Sequence, residues 1–228
     1  KPTEPLLDTA LGVLYSALDR VDEADASFRR ALARDPLSLP AMEEYFVFCD
    51  QRQKLPTLIP ALEEAVRKEE GSFMHHNWLG LAYRRGGNLE GAARELQRAA
   101  DLGPDQVGPL ANLGSLYLQE NRVEEAVTLL EQAIAKDPSS VEARTNLLVG
   151  LGRTAQLAKA REVFEDGNQI SPERTTLYNA MAFACQMNGQ PREAAKLLQH
   201  SLQLDARQPA ALDLLRKVDP AAAARLLH

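Results

Sequence analysis

Long apolar runs are missing from this chain of 228 residues. None approaches the roughly eighteen consecutive apolar residues that mark a membrane-spanning helix, and no charged-then-apolar signal segment opens the sequence. A basic excess is missing too. The formal net charge is -6, whereas a protein that grips phosphate backbones needs a concentrated cationic face to release counterions. Nucleic acid is therefore not an expected partner. Aromatic residues make up only 5%, and the apolar content is carried mainly by Ala and Leu, both good helix formers. Composition thus leans all-α. With 45% hydrophobic and 25% charged residues, the chain has the make-up of a folded protein and not of a disordered one.

What is present is a period of 34 residues. Leu79-Gly80, Tyr83, Gly87, Ala92, Leu96, Ala99 and Pro104 return as Leu113-Gly114, Tyr117, Asn121, Ala126, Leu130, Ala133 and Pro138. This pattern resembles the tetratricopeptide repeat, which places Leu-Gly and Tyr on a first helix and Ala, a large apolar residue, Ala and Pro on and after a second. The resemblance implies an α-solenoid, a right-handed superhelix of six helix-turn-helix units. The expected repeats are 5–38, 39–72, 73–106, 107–140, 141–174 and 175–208, after a tail of 1–4 and before capping helices in 209–228. Small residues such as Gly80, Ala92 and Ala99 stand where two helix backbones approach, and Leu79, Tyr83 and Leu96 fill the gaps to neighbours.

The repeat 39–72 keeps the length and breaks the chemistry. Phe46 and Leu58 stand at the two close-approach positions, and Glu70 replaces the closing Pro. Pro56 and Pro60 fall near the start of its second helix, predicting a late or kinked start. The nearby aromatics Tyr45, Phe46, Phe48, Phe73, Trp78 and Tyr83 predict wider local packing. At the C-terminal end, Asp219-Pro220 reads as N-cap and first residue of a short Ala-rich helix ending in Leu226 and Leu227, which would cover the last apolar face.

Reactive constellations are scarce. Cys49 and Cys185 occupy the repeat position held by Tyr83 and Tyr117, so both read as packing residues, reduced and unpaired. Adjacent His75 and His76 diverge by about 100° on a helix and lack a third metal ligand at suitable spacing. His76 stands where the family often has Trp. Gly150-Leu151-Gly152-Arg153-Thr154 lacks the spacing and Lys of a phosphate loop. No nucleophile elbow or dinucleotide fingerprint appears. No cofactor and no enzymatic activity are expected.

In proteins of this resemblance the first helices line a groove. The corresponding positions hold Met74, Asn77, Trp78, Leu81, Arg84 and Arg85 in the third repeat and Ala111, Asn112, Ser115 and Gln119 in the fourth. Thr145, Asn146, Val149 and Arg153 follow in the fifth, and Thr176, Asn179, Phe183, Gln186 and Met187 in the sixth. Amides can donate to and accept from a peptide backbone, while Leu81, Val149 and Phe183 offer apolar pockets. A solvated helix face is the competing reading. The cation set of the chaperone-tail clamp is missing, since Asn112 alone matches it. Asn112 and Asn146 resemble two rungs of the asparagine ladder of O-linked GlcNAc transferases.

The expected function is a non-catalytic scaffold that binds a peptide segment of another protein, with Arg84, Arg85 and Arg153 meeting acidic groups. The alternatives are an accessory arm of a larger enzyme or assembly and a self-associating structural solenoid. Because the chain opens at Lys1, a removed signal, anchor or neighbouring domain stays open. So does the compartment: cytoplasmic, or periplasmic or secreted if a signal was removed.

Overall fold

The computed structural model describes residues 4–226. Most of the expected tail, and Leu227 of the expected cap, lie outside that range. Glu4 already belongs to the first helix. The described residues fall into two compact units, residues up to Pro104 and residues from Asp105.

The first unit contains α1 (Glu4–Ala17), α2 (Val21–Arg34), α3 (Leu39–Gln51), a 3-10 turn (Leu55–Leu58), α4 (Ile59–Lys68), α5 (Phe73–Arg85) and α6 (Leu89–Leu102). The second contains α7 (Val107–Gln119), α8 (Val123–Lys136), α9 (Val141–Arg153), α10 (Leu157–Ile170), α11 (Thr175–Met187), α12 (Pro191–Leu204), α13 (Pro209–Val218) and α14 (Pro220–Leu226). Helices α3, α5, α7, α9 and α11 open at the residues where the 34-residue register starts each repeat.

Glycine sets how closely the helices of a pair approach. A Cβ on Gly80 would lie 2.6 Å from Leu96 Cγ, and one on Gly114 would lie 2.7 Å from Leu130 Cγ. The Leu side chain of the second helix therefore rests directly on the backbone of the first. Each pair turns through a left-handed residue at the same repeat position: Asp19, Gln53, Gly87, Asn121, Ala155 and Gly189. The next amide then closes on the carbonyl five residues back, as from Asn88 N to Tyr83 O at 3.0 Å and from Arg122 N to Tyr117 O at 2.8 Å. This pattern satisfies carbonyls that the ending helix would leave orphaned.

A second device recurs at the fourth repeat position, where two polar side chains are buried. His76 Nε2 lies 3.1 Å from the Glu70 carbonyl oxygen and its Nδ1 lies 2.8 Å from a Glu95 carboxylate oxygen. Arg144 donates to the Pro138 carbonyl at 2.6 Å and the Val163 carbonyl at 3.1 Å. Both tie the loop before a first helix to the second helix of the same pair, and His76 is a packing residue as expected.

The repeat 39–72 departs in the expected manner. Pro56 sits in the 3-10 turn, and α4 starts only at Ile59. Phe28, Tyr45 and Phe48 cluster with ring centroids 5.3 to 6.1 Å apart, and Leu55 and Leu58 are buried beside them. A cavity of about 470 Å³ remains among Leu32, Met42, Tyr45, Leu58, Pro60 and Ala61. At the other end, Asp219 accepts a hydrogen bond from the Ala222 amide at 2.9 Å and starts α14.

Candidate functional site

In the second unit α9 packs against both α7 and α11. Gly152 makes the second contact close, because a Cβ there would lie 2.7 Å from Ala184 Cα. The Gly152 carbonyl also accepts from Asn188 Nδ2 at 3.0 Å. The glycines at the end of α9 thus serve helix packing.

At the other end of these helices lies a cavity of about 590 Å³. Ser115 of α7, Thr145 and Asn146 of α9 and Thr176 of α11 line it, and all four belong to the expected groove positions. Two features position its rim. Ser140 caps α9 by accepting from the Ala143 amide at 3.3 Å, and Glu173 takes a left-handed conformation (φ 61) just before α11. Val141, Glu142, Glu173, Arg174 and Thr175 complete the lining. Val141, Glu173, Arg174 and Thr175 sit at helix starts and in a turn, outside the positions that the register picks out, whereas Glu142 holds the second repeat position, as Met74 and Thr176 do, and the register could have found it.

The lining is polar and has more carboxylates than cations: Glu142 and Glu173 against Arg174. The Thr145 hydroxyl oxygen is buried and has no hydrogen-bond partner. Leaving such a group unsatisfied costs about 1–3 kcal/mol.

The other expected site residues are distributed differently. Asn77, Leu81 and Arg84 are half-buried on α5 and Arg85 is exposed at its end, all in the first unit. Asn112 and Val149 are half-buried on α7 and α9, Phe183 is half-buried on α11, and Gln119 is exposed at the end of α7. Asn179 donates to Gln208 Oε1 at 2.7 Å, and Gln208 in turn donates to the Ser201 and Asp205 carbonyls. Asn179 therefore fastens the end of α12.

Arg153 and Arg85 are engaged within the chain. Arg153 donates to the Leu118 carbonyl at 2.6 Å, and Arg85 donates to Asp50 Oδ1 at 3.3 Å. Each reaches back 35 residues, one period plus one, from the last turn of a first helix to the preceding first helix. That offset was available in the sequence as Asp50 preceding Arg85, and it was the signal to look for.

Both thiols are free and buried, and burial pushes each up to about 11. Among the described residues no group of three or more His, Cys, Asp or Glu side chains is arranged to hold a metal ion. No described helix is long and apolar enough to cross a membrane.

A family model described as tetratricopeptide repeat matches residues 83–148, and another of the same description matches residues 6–40. Among solved structures, a chain of the APC/C hetero-tetramer Cut9–Hcn1 is similar at TM-score 0.74 and 20% identity over 95% of this chain. This chain spans only 43% of the length of that one. A tetratricopeptide repeat protein from Parabacteroides merdae ATCC 43184 is similar at TM-score 0.75 and 15% identity, over 97% of this chain and 90% of its own. YrrB, described as a TPR protein with an unusual peptide-binding site, is similar at TM-score 0.59 and 14% identity, over 82% of this chain and 96% of its own. At these identities the likeness is one of fold. No curated protein is a significant match to the sequence.

Proposed function

Because the chain belongs to the tetratricopeptide-repeat family, an all-α solenoid fold, we propose that it is a protein-interaction scaffold that takes a peptide segment across α7, α9 and α11. Tetratricopeptide-repeat proteins are generally non-catalytic and bind other proteins or peptides. The observation that carries the site is the 590 Å³ cavity, whose wall holds Asn146 between α7 and α11. A peptide backbone offers both the N–H and the C=O that the half-buried Asn146 amide can use. Glu142 and Glu173 outnumber Arg174 at the rim, so the segment that fits carries a basic side chain. This reverses the expectation of an acidic partner, since Arg85 and Arg153 already have acceptors within the chain.

Selection of peptides from a random displayed library tests this. Enriched sequences are expected to carry Lys or Arg. Glu142→Gln with Glu173→Gln is expected to weaken binding by about tenfold and flatten its salt dependence, while Asn146→Ala weakens it at every salt concentration. Enrichment of acidic peptides, or unchanged binding by the Asn146 variant, overturns the assignment. An accessory arm of a larger assembly is the second reading, supported by the longer Cut9–Hcn1 chain of which this one spans 43%.

A further inference from the structure

The cavity of about 470 Å³ at the irregular repeat lies wholly within the first unit, bounded by α2, α3, the 3-10 turn and α4. Its innermost wall is Met42, Tyr45 and Leu58, none more than 2% exposed. Leu32 and Pro36 line it from the side of α2, and Pro60 and Ala61 from the side of α4. The space follows from the break in the repeat, because Leu58 belongs to the 3-10 turn and α4 opens only at Ile59.

Five polar side chains also reach the wall, and each already has a partner within the chain. Arg29 Nε donates to Asp25 at 2.6 Å and the Tyr45 hydroxyl donates to the same carboxylate at 2.5 Å. The Thr57 hydroxyl donates to the Lys54 carbonyl at 2.8 Å. Lys68 and Glu64 pair at 3.2 Å. Pro36 and Pro60 have no N–H to offer. An ordered water needs about two to four polar groups free to bond it, and this wall leaves no polar side chain without a partner. Its charges take each other in pairs as well, so a charged ligand would find no counter-ion to spare.

We propose that this cavity binds a small, uncharged, apolar molecule. The volume sets its size. A dry apolar cavity of about 150 Å³ accepts benzene, so this one, roughly three times larger, takes a molecule of two or three rings or a hydrocarbon chain of similar bulk. Sites for small ligands span about 300–1,000 Å³. The wall is also built in advance: Asp25 ties Tyr45 and Arg29 together, and the Arg29 guanidinium lies 5.9 Å from the Tyr45 ring centroid. Met42, unbranched and polarisable, lets the inner end adapt to the shape of the occupant.

This site does not rest on the peptide site, which lies in the other unit. Its probe is N-phenylnaphthylamine, a neutral apolar fluorophore, added to the full chain. Emission is expected to rise saturably with one site per chain, and naphthalene is expected to displace the probe. In methyl NMR the Met42 resonance should shift with the same saturation, while Met181 and Met187 of α11 stay in place. Ala33→Trp, at an exposed position of the lining, and Ala61→Phe, at a half-buried one, each put a large side chain into the opening. Each is expected to weaken binding by about tenfold or more, and the exposed position of Ala33 keeps that variant's helical circular dichroism unchanged. Asn146→Ala should leave probe binding as it is, so the two sites are read apart. The proposal is overturned if binding does not saturate, if it saturates without moving the Met42 resonance, or if neither substitution in the lining weakens it.

Discussion

The repeats 39–72 and 73–106 lie side by side in one unit, have the same length and pass through the same left-handed turn, at Gln53 and Gly87. They part company at the two close-approach positions, among others. Gly80 and Ala92 in the later repeat are Phe46 and Leu58 in the earlier one. With Gly80 present, Leu96 rests on the α5 backbone, and α5 and α6 pack along their length. With Phe46 and Leu58, α3 packs instead on the 3-10 turn, while α4 packs on α5. Phe46 turns away to stack with Trp78 at 6.2 Å. Apolar content is therefore not what makes a closed hairpin; volume at the crossing is.

The sharpest test inverts those residues. Leu58→Ala restores the small residue typical of the family, yet Leu58 is fully buried beside the 470 Å³ cavity, so the change enlarges a void. It is expected to destabilise the first unit by about 2–5 kcal/mol, read from urea denaturation. A neutral or stabilising outcome would mean that α3 and α4 can close into an ordinary pair, and the comparison would collapse. Native-state hydrogen exchange sharpens the same point: the amides of α4 should open more readily than those of α6.

Gly80→Ala probes the other side. The added methyl meets Leu96 within van der Waals distance, and overpacking of this kind costs roughly 1–3 kcal/mol. Phe46→Ala, at the equivalent position, should instead loosen the stack on Trp78. If Gly80→Ala proves silent in denaturation, close approach is not what distinguishes the two repeats.

Much of this was legible in the sequence. The period located the openings of α3, α5, α7, α9 and α11, and Pro56 with Pro60 foretold the delayed start of α4, because proline acts locally on the backbone. The fate of polar groups was less legible. Whether Arg153 faces a partner or the Leu118 carbonyl depends on how one pair rests on the preceding one, which residue type does not encode. The cavity around Thr145 depended on helix starts and on Glu173, a left-handed residue that no glycine announced. Asn146 was found by register and Glu142 stands at a register position too, whereas Glu173, which adds charge at the rim, was found only in the fold.

The junction between the two repeats should respond to acid. His75, at the start of α5, is fully buried, and neither ring nitrogen has a hydrogen-bond partner. Burial lowers its pKa below the ordinary 6.5, despite the Glu69 carboxylate 3.6 Å from Nδ1. Since the unfolded chain then binds the proton more readily, stability attributable to His75 is intact above about pH 6.5 and falls as pH drops below it. Denaturation at stepped pH values should show this loss, and His75→Phe should remove that part of the slope. His76, held by Glu95 and the Glu70 carbonyl, offers the control: a slope that follows His76→Gln instead would assign the effect to the wrong ring.

The smallest expected effect concerns what the two repeats share. Gln53 (φ 56) and Gly87 (φ 82) occupy the same left-handed turn, and the amides that follow both close on the carbonyl five residues back, Lys54 N to Cys49 O at 2.7 Å and Asn88 N to Tyr83 O at 3.0 Å. A side chain makes this conformation unfavourable by roughly 1–2 kcal/mol, part of which glycine returns through its greater freedom in the unfolded chain. Gln53→Gly is therefore expected to stabilise by at most about 1 kcal/mol, and Gly87→Ala to destabilise by a similar amount. Paired measurements matter more than either alone. Opposite changes of like size would show that the turn is equivalent in both repeats and that their difference begins after it, at the 3-10 turn. A Gln53→Gly variant that destabilises would instead place the origin of the irregular repeat in the turn itself, with Phe46 and Leu58 accommodating a backbone already displaced.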